Sequence, residues 1–148
     1  MLSDIPKNLH RSLLQHIETN FTTTPIYWEG QSQREPLTTY PFIEVRMDGP
    51  HMKPLEKGEI YCEFEANILI HGSVLGNMYA MDEIGGELID ILWQNIDIAD
   101  GAGTALGCAL PLTDRRKFIE FNQFGIIDPN SELMQSTIEI RYSVTLET

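Results

Sequence analysis

Two stretches of alternating apolar and polar residues stand on either side of one amphipathic helix pattern. In residues 60–71 the alternate apolar positions are Ile60, Cys62, Phe64, Ala66, Ile68 and Ile70. In residues 138–146 they are Ile138, Ile140, Tyr142, Val144 and Leu146. Period-two alternation is typical of a strand with one buried face and one solvated face. We therefore predict two long strands in a mainly antiparallel sheet whose one face is covered by helices.

Two segments have the apolar spacing of amphipathic helices. The first runs from a cap at Ser3 or Asp4 to Asn20, with Pro6 in its first turn. Its apolar positions recur every four residues, at Ile5, Leu9, Leu13, Ile17 and Phe21. The second runs from about Met78 to about Asn95, with apolar positions Met81, Ile84, Leu88, Ile91, Leu92 and Ile96. Gly85-Gly86 in its middle predicts either a kink or the close approach of another backbone.

Shorter strands are predicted between and after these elements. They cover residues 26–28, 41–47, 105–112 and 118–124, and the last long strand covers residues 134–146. Asp48-Gly49-Pro50 is predicted to break the second strand, and residues 51–58 to form the tip of a long hairpin. Residues 97–101 are predicted to form a solvated loop after the second helix. The order of elements predicts one α+β domain over residues 1–148, with two principal helices on one face of a mainly antiparallel sheet.

The charge distribution is strongly acidic. The net charge is −12, and from Gly58 to Asp114 the chain has ten acidic residues and no Lys or Arg. Such a surface repels phosphate backbones, which argues against conventional nucleic-acid binding. Two interpretations stay open. The acidic residues form an ordinary solvated surface, or they form a surface that nucleic acid passes without binding.

The sequence predicts neither membrane insertion nor secretion. No apolar run approaches the roughly 18 residues of a membrane span, and the first residues lack the basic and apolar regions of a secretory signal. Cys62 and Cys108 are interpreted as reduced thiols in or near the core of a protein made in a cytosol.

No residue constellation predicts catalysis. Residues 97–101 lack the alternating oxygen ligands of a calcium loop, and the glycines of residues 101–107 follow a helix without a phosphate-binding lysine. His10, His16, His51 and His71 are scattered without metal-ligand spacing. Trp28 and Trp93 suit a partner contact, although packing at the core boundary is the commoner role. We expect neither an enzyme nor a bound cofactor or metal.

The order of elements resembles the tail terminator proteins of long-tailed bacteriophages. The resemblance covers nearly the whole chain and rests on patterns of elements, without signature residues. The matching segments are the helix of residues 5–21, the strands of residues 25–28, 40–45 and 60–71, the helix of residues 78–95 and the strand of residues 136–147.

The resemblance implies a structural virion protein at the neck end of the tail, assembled in the host cytoplasm. It would form a homo-oligomeric ring, expected to be a hexamer, that caps the tail tube and ends its polymerisation. Its partners would be further copies of itself, the tail tube protein and the head completion or connector protein. DNA would pass through the lumen without specific binding, and no membrane is involved.

Three groups of residues are candidates for these contacts. The subunit-interface candidates are Arg115, Arg116, Lys117, Asp82 and Glu83. The candidates for an acidic pore lining are Glu63, Glu65, Glu87 and Asp90. The candidates for docking to the tube or head, in loops 30–40 and 48–58, are Arg34, Glu35, His51, Lys53 and Lys57.

Three alternative functions stay open. Another phage neck or head-completion protein shares much of this layout. A small α+β enzyme would need convergent titratable residues with shifted pKa values. A non-viral acidic binding domain would use its acidic face as a nucleic-acid mimic.

Overall fold

In the described part of the chain, seven strands form one curled, mixed but mostly antiparallel sheet, and two α-helices lie on one of its faces. The computed structural model describes residues 2–28, 41–73, 77–112, 119–126 and 133–147. The helices are α1 (Ile5–Asn20) and α2 (Asn77–Leu92). The strands are β1 (Ile26–Trp28), β2 (Phe42–Pro54), β3 (Glu59–Ser73), β4 (Ile96–Ala99), β5 (Ala105–Pro111), β6 (Ile119–Ile126) and β7 (Leu133–Glu147). The predicted α+β single-domain class is confirmed.

The centre of the sheet is the antiparallel pair of β3 and β7. Their register runs without a shift from Glu59 opposite Glu147 to Ser73 opposite Leu133. The strand order is β1-β2-β3-β7-β5-β4, and among the strands of the described residues only β1 and β2 pair in parallel. On the side away from β3, two strands pair with β7. β6 pairs with the first half of β7, and β5 pairs with Tyr142 and Ser143. The two long alternating patterns therefore form the central strands of the sheet.

The hydrophobic core lies between the helices and one face of the sheet. The even-numbered apolar residues of β3 and β7 are buried, as the alternation predicts. The α1 stripe is also buried, with Leu9, Leu13 and Ile17 at 0% exposure. At the C-terminal end of α2, the Tyr142 hydroxyl donates a buried 2.6 Å hydrogen bond to the Leu92 carbonyl oxygen. This bond joins the central sheet to a helix end whose carbonyl groups lack partners within the helix.

The two glycines of α2 have different environments. A Cβ atom on Gly85 would lie 2.7 Å from Cζ of Phe121, whereas one on Gly86 would meet nothing within 4 Å. The predicted close approach therefore exists at Gly85, and it comes from a β6 side chain instead of a backbone. Gly86 lies on the exposed side of the helix.

The predicted loop over residues 97–101 is wrong for residues 97–99, which lie in a strand, whereas Asp100 and Gly101 lie in the turn that follows it. The α2 helix ends at Leu92, and Ile96–Ala99 forms β4, paired with β5. Ile96 and Ile98 are both fully buried. Ser12 of α1 holds the end of β4, because its hydroxyl accepts a 3.1 Å hydrogen bond from the Ala99 N–H. In the sequence, Ile96 fits the apolar spacing of the helix, but in the structure it is the first residue of a strand.

The predicted break at Asp48-Gly49-Pro50 is also wrong. β2 continues through these residues to Pro54, with a shift in its register to β3 between Asp48 and His51. Gly49 has a φ angle of +97°, a backbone conformation that favours glycine. The segment is therefore a bulge inside the strand. The predicted β2–β3 hairpin does form, with its turn at residues 55–58.

Asp4 occupies the N-cap position of α1 without a capping hydrogen bond from its side chain, and Pro6 lies in the first turn. Both cysteines are free thiols, but only Cys62 is buried, so the near-core assignment of Cys108 is wrong. Neither α1 nor α2 has the length and apolar character needed to cross a membrane.

Candidate functional site

The sheet face opposite the helices carries a group of carboxylates. They are Asp48, Glu63, Glu65, Glu120 and Glu139, and we call this group the acidic sheet face. Strand pairing brings them together, because Asp48 lies opposite Glu65 and Glu120 lies opposite Glu139. Paired residues of adjacent strands point to the same side of a sheet. The polar positions of the β3 and β7 alternation therefore supply Glu63, Glu65 and Glu139, and the neighbouring strands β2 and β6 add Asp48 and Glu120.

Glu65 lies near the centre of the acidic sheet face. Its side chain is 26% exposed, and its Oε2 atom lies 3.9 Å from Nε of Arg141. Partial burial raises the pKa of the Glu65 carboxyl, and repulsion from Glu139 raises it further, while Arg141 opposes the change. The like charges outweigh the single cation, so the ionised form of Glu65 is disfavoured relative to a free side chain.

Glu63 is held by its neighbour on the same strand face. The Tyr61 hydroxyl donates a 2.8 Å hydrogen bond to Oε1 of Glu63. This bond, which favours the protonated phenol, raises the pKa of Tyr61. Beside these residues a small groove of about 160 Å³ is lined by Asp48, His51, Glu63, Phe64, Glu65 and Arg141. The groove is open and acidic, and it is small for an organic ligand.

A more buried polar cluster adjoins the acidic sheet face on β2 and β3. Glu44 is only 3% exposed, and its Oε2 atom accepts a 3.1 Å hydrogen bond from Nη2 of Arg46. Nε2 of His71 lies 3.6 Å from the same oxygen, and the His71 ring stacks on Phe42 at 4.6 Å. Burial lowers the pKa of His71, although Glu44 acts in the opposite direction. The buried Glu44 carboxylate is paired with the Arg46 guanidinium, so we assign this cluster a structural role in the sheet.

The acidic sheet face has the properties of a surface that repels anions. Among the described residues, no three His, Cys, Asp or Glu side chains are grouped to hold a metal ion. The carboxylates are spread along four strands instead of converging on one point. A spread of like charge repels phosphate over distances of about a Debye length, roughly 8 Å at physiological salt.

A second surface feature is a cleft between α1 and the strands β1 and β2. Its volume is about 870 Å³, and we call it the α1 cleft. Its lining residues are Lys7, His10, Arg11, Leu14, Gln15, Glu18, Trp28 and Val45. The rings of His10 and Trp28 meet edge to face with centroids 5.9 Å apart. The α1 cleft is therefore a cationic and aromatic surface in a strongly acidic chain.

The predicted pore residues lie on two different surfaces. Glu63 and Glu65 belong to the acidic sheet face, whereas Glu87 and Asp90 lie on α2, across the sheet. Glu87 accepts hydrogen bonds of 2.9 and 2.8 Å from the Thr23 hydroxyl. The structure therefore brings together the first pair but does not join it to the second within one subunit.

The other predicted contact residues divide in the same way. His51, Lys53 and Lys57 are all exposed on the β2–β3 hairpin, and Asp82 and Glu83 are exposed on α2. Arg34, Glu35, Arg115, Arg116 and Lys117 lie outside the described residues. Sequence reasoning missed the α1 cleft, although Lys7 and Arg11 have the i, i+4 spacing of neighbours on one helix face.

In comparisons with known proteins, no family model matches the chain, and no curated protein matches it either.

Proposed function

We propose that this chain is a tail terminator subunit of a long-tailed bacteriophage. In this proposal, copies of the chain close into a ring, expected to be a hexamer, that caps the tail tube. The ring ends tube polymerisation and provides the joining surface for the head completion or connector protein. It acts at the neck end of the virion tail after assembly in the host cytoplasm, with no cofactor and no membrane.

The acidic sheet face is the single observation that carries this proposal. A ring through which a genome passes needs a lumen that does not retain DNA, and spread carboxylates repel phosphates. Glu63, Glu65, Glu120 and Glu139 lie on adjacent strands and supply such a surface. If this face lines the lumen, the helices face away from it. Glu87 and Asp90 then lie outside the pore.

The remaining contacts follow from where the charged residues lie. The β2–β3 hairpin, with its exposed His51, Lys53 and Lys57, is the proposed contact with the tube or the head. Exposed ion pairs contribute only about 0–1 kcal/mol each, but a closed ring repeats each pair around its axis. Pairing of Arg115, Arg116 and Lys117 with the acidic face of a neighbouring subunit stays part of this proposal, and Asp82 and Glu83 stay candidates for the subunit interface.

Negative-stain electron microscopy tests the proposal directly. Purified protein is mixed with polymerising tail tubes of the same phage, and tube length is followed over time. A ring of density at one tube end, with tube growth stopped, is the expected result. Bare tube ends and continued growth contradict the terminator function. Binding to filled capsids without binding to tubes would instead identify a head-completion protein.

The acidic sheet face also supports a second candidate function. A monomeric acidic binding domain would use the same carboxylates as a mimic of a phosphate backbone. This candidate predicts a monomer in solution that binds a basic partner tightly, and that loses this binding when Glu65 and Glu139 are replaced by Gln. Ring formation on tubes separates the two functions.

A further inference from the structure

The exposed side of α2 carries an unusual sequence of side chains. Tyr79, Glu83, Gly86, Asp90 and Trp93 follow one another at spacings of four, three, four and three residues. All five are exposed, Tyr79 at 71% and Trp93 at 45%. The Trp93 N–H donates a 3.0 Å hydrogen bond to the Ile89 carbonyl oxygen, so the helical path continues to this residue. We call these five residues the α2 stripe.

The α2 stripe has the composition of a contact surface. Tyr79 and Trp93 place an aromatic ring at each end of the stripe. Glu83 and Asp90 are the next residues toward its middle, and the exposed Gly86 lies between them. Gly86 has nothing within 4 Å of the position of a Cβ atom, so another chain can approach the helix closely there. From Tyr79 to Trp93 the stripe is about 21 Å long at 1.5 Å per residue.

The α1 cleft has the opposite charge. Its Lys7 and Arg11 lie one helical turn apart, and within the described part of the chain neither has a carboxylate at ion-pair distance. Nη1 of Arg11 is buried, and it has no hydrogen-bond partner among the described residues. The cleft runs for about 17 Å along α1, from Lys7 to Glu18. Trp28 and Leu14 supply apolar surface in its wall.

Within one copy the α2 stripe cannot reach the α1 cleft. His16 of α1 contacts α2 directly, because its Nε2 atom lies 2.8 Å from the Ile91 carbonyl oxygen. Lys7 and His16 are nine residues apart, which places them about 180° apart around the helix at 100° per residue. The α1 cleft therefore opens on the side of α1 that faces away from α2. Any contact between the two surfaces joins different copies.

We infer that the α2 stripe of one copy docks in the α1 cleft of a second copy, with Glu83 and Asp90 beside Lys7 and Arg11. Glu18 has no basic counterpart on the stripe, so the carboxylates lie toward the Lys7 end of the cleft. The contact uses two different surfaces and is therefore heterologous, so repeating it closes a ring or extends a filament. This inference rests on the proposed function, since it names the subunit contact of the proposed ring.

Charge reversal of each surface tests the inference. We compare two variants, Lys7→Glu with Arg11→Glu, and Glu83→Lys with Asp90→Lys, by sedimentation velocity at low salt. Each variant alone opposes like charges and is expected to associate at least tenfold more weakly than the wild type. An equimolar mixture restores attraction in both kinds of contact and is expected to associate again. Raising the salt from about 0.05 M to about 0.5 M should weaken association of the wild type.

Two matched controls carry the same change in net charge elsewhere. Lys53→Glu with Lys57→Glu alters the hairpin, and Glu63→Lys with Glu65→Lys alters the acidic sheet face. Both controls are expected to associate like the wild type. Circular dichroism checks that each variant folds, and Lys7→Glu alone serves if Arg11→Glu disturbs the packing beside Gly101.

Three results would overturn the inference. They are a wild type that stays monomeric up to about 1 mM at low salt, reversal variants that associate normally, and a mixture that does not regain association. Tube capping is a separate readout. If wild-type protein caps tubes and the reversal variants do so equally well, this contact is wrong and the terminator function stands. If the wild-type protein does not cap tubes, the terminator function fails, whatever the association shows.

Discussion

At the scale of single residues, His71 shows how the position of a side chain sets its chemistry. In the sequence it is one of four scattered histidines without metal-ligand spacing. In the structure its ring stacks on Phe42 and lies 3.6 Å from the buried Glu44 carboxylate. Burial lowers the pKa of His71 below its ordinary value of 6.5, and the nearby Arg46 acts in the same direction. Pairing of β2 with β3 creates this environment, and no local pattern predicts it.

We predict that His71 makes the fold less stable as the pH falls. The unfolded chain binds a proton at this residue more readily than the folded chain. The stabilising contribution is therefore complete above pH 6.5 and is lost as the pH falls through 6.5 toward the lower pKa of the folded state. Urea unfolding from about pH 7.5 to about pH 5.5 measures the slope. His71→Gln should flatten this slope by at most about 1.4 kcal/mol per pH unit.

The same substitution at His51 is the control, because His51 is exposed on the hairpin. It should leave the slope unchanged. An unchanged slope in His71→Gln would show that the buried cluster does not disfavour the imidazolium.

At the scale of elements, the Gly85-Gly86 pair of α2 separates two effects that the sequence cannot distinguish. Both glycines weaken a helix by about 1 kcal/mol relative to alanine. Only Gly85 faces β6, where Phe121 leaves no room for a methyl group. Gly86 faces open space. Packing against Phe121 therefore requires a glycine at Gly85, whereas Gly86 is available for a contact with another molecule.

We predict opposite effects for alanine at the two positions. Gly85→Ala should destabilise the fold by about 1–3 kcal/mol, because the Phe121 ring must move in a packed interior. Gly86→Ala should stabilise it by about 0.5–1 kcal/mol, because it restores helix propensity without a clash. Thermal and urea unfolding of the two variants measure both changes. Equal effects of the two substitutions would refute the assigned packing of α2 against β6.

The elements that were predicted well have a long, unbroken period. β3, β7 and α1 were found within a few residues because each buries one continuous apolar face. β4 was missed because Ile96 fits the stripe of the preceding helix, and two buried isoleucines are too few to define a strand. β2 was cut short because Asp48-Gly49-Pro50 has the composition of a turn, whereas pairing with β3 keeps it inside the strand.

The candidate sites were less predictable than the elements. Period two was enough to place Glu63 and Glu65 on the solvated face of the sheet. It did not show that Asp48, Glu120 and Glu139 join them, since strand order and register bring these residues together. The grouping of Glu87 and Asp90 with them relied on composition alone, which does not distinguish the two sides of a sheet.

At the scale of the whole molecule, charge is separated between surfaces. The net charge is −12, yet the α1 cleft gathers Lys7 and Arg11, while the acidic sheet face gathers five carboxylates. The two features suit different tasks in the proposed ring. In that proposal, complementary surfaces on the helices would join the subunits, and the mainly acidic sheet face would line the path of the genome. A uniformly acidic protein would repel its own copies as well as DNA.

We predict that replacing Glu63 and Glu65 by lysine slows the passage of DNA through the proposed ring without preventing assembly of the ring. Phage particles carrying Glu63→Lys with Glu65→Lys should cap their tubes normally and eject their genome more slowly, because the lumen then attracts phosphate. Lysine is the informative replacement, since Glu63→Gln with Glu65→Gln removes charge without adding attraction and should have a smaller effect in the same direction.

The ejection rate is measured from the DNA released after addition of the receptor, at two salt concentrations. Higher salt should restore the rate of the lysine variant, because it screens the new contacts. Normal ejection at low salt by particles that contain the lysine variant would place the acidic sheet face outside the DNA path.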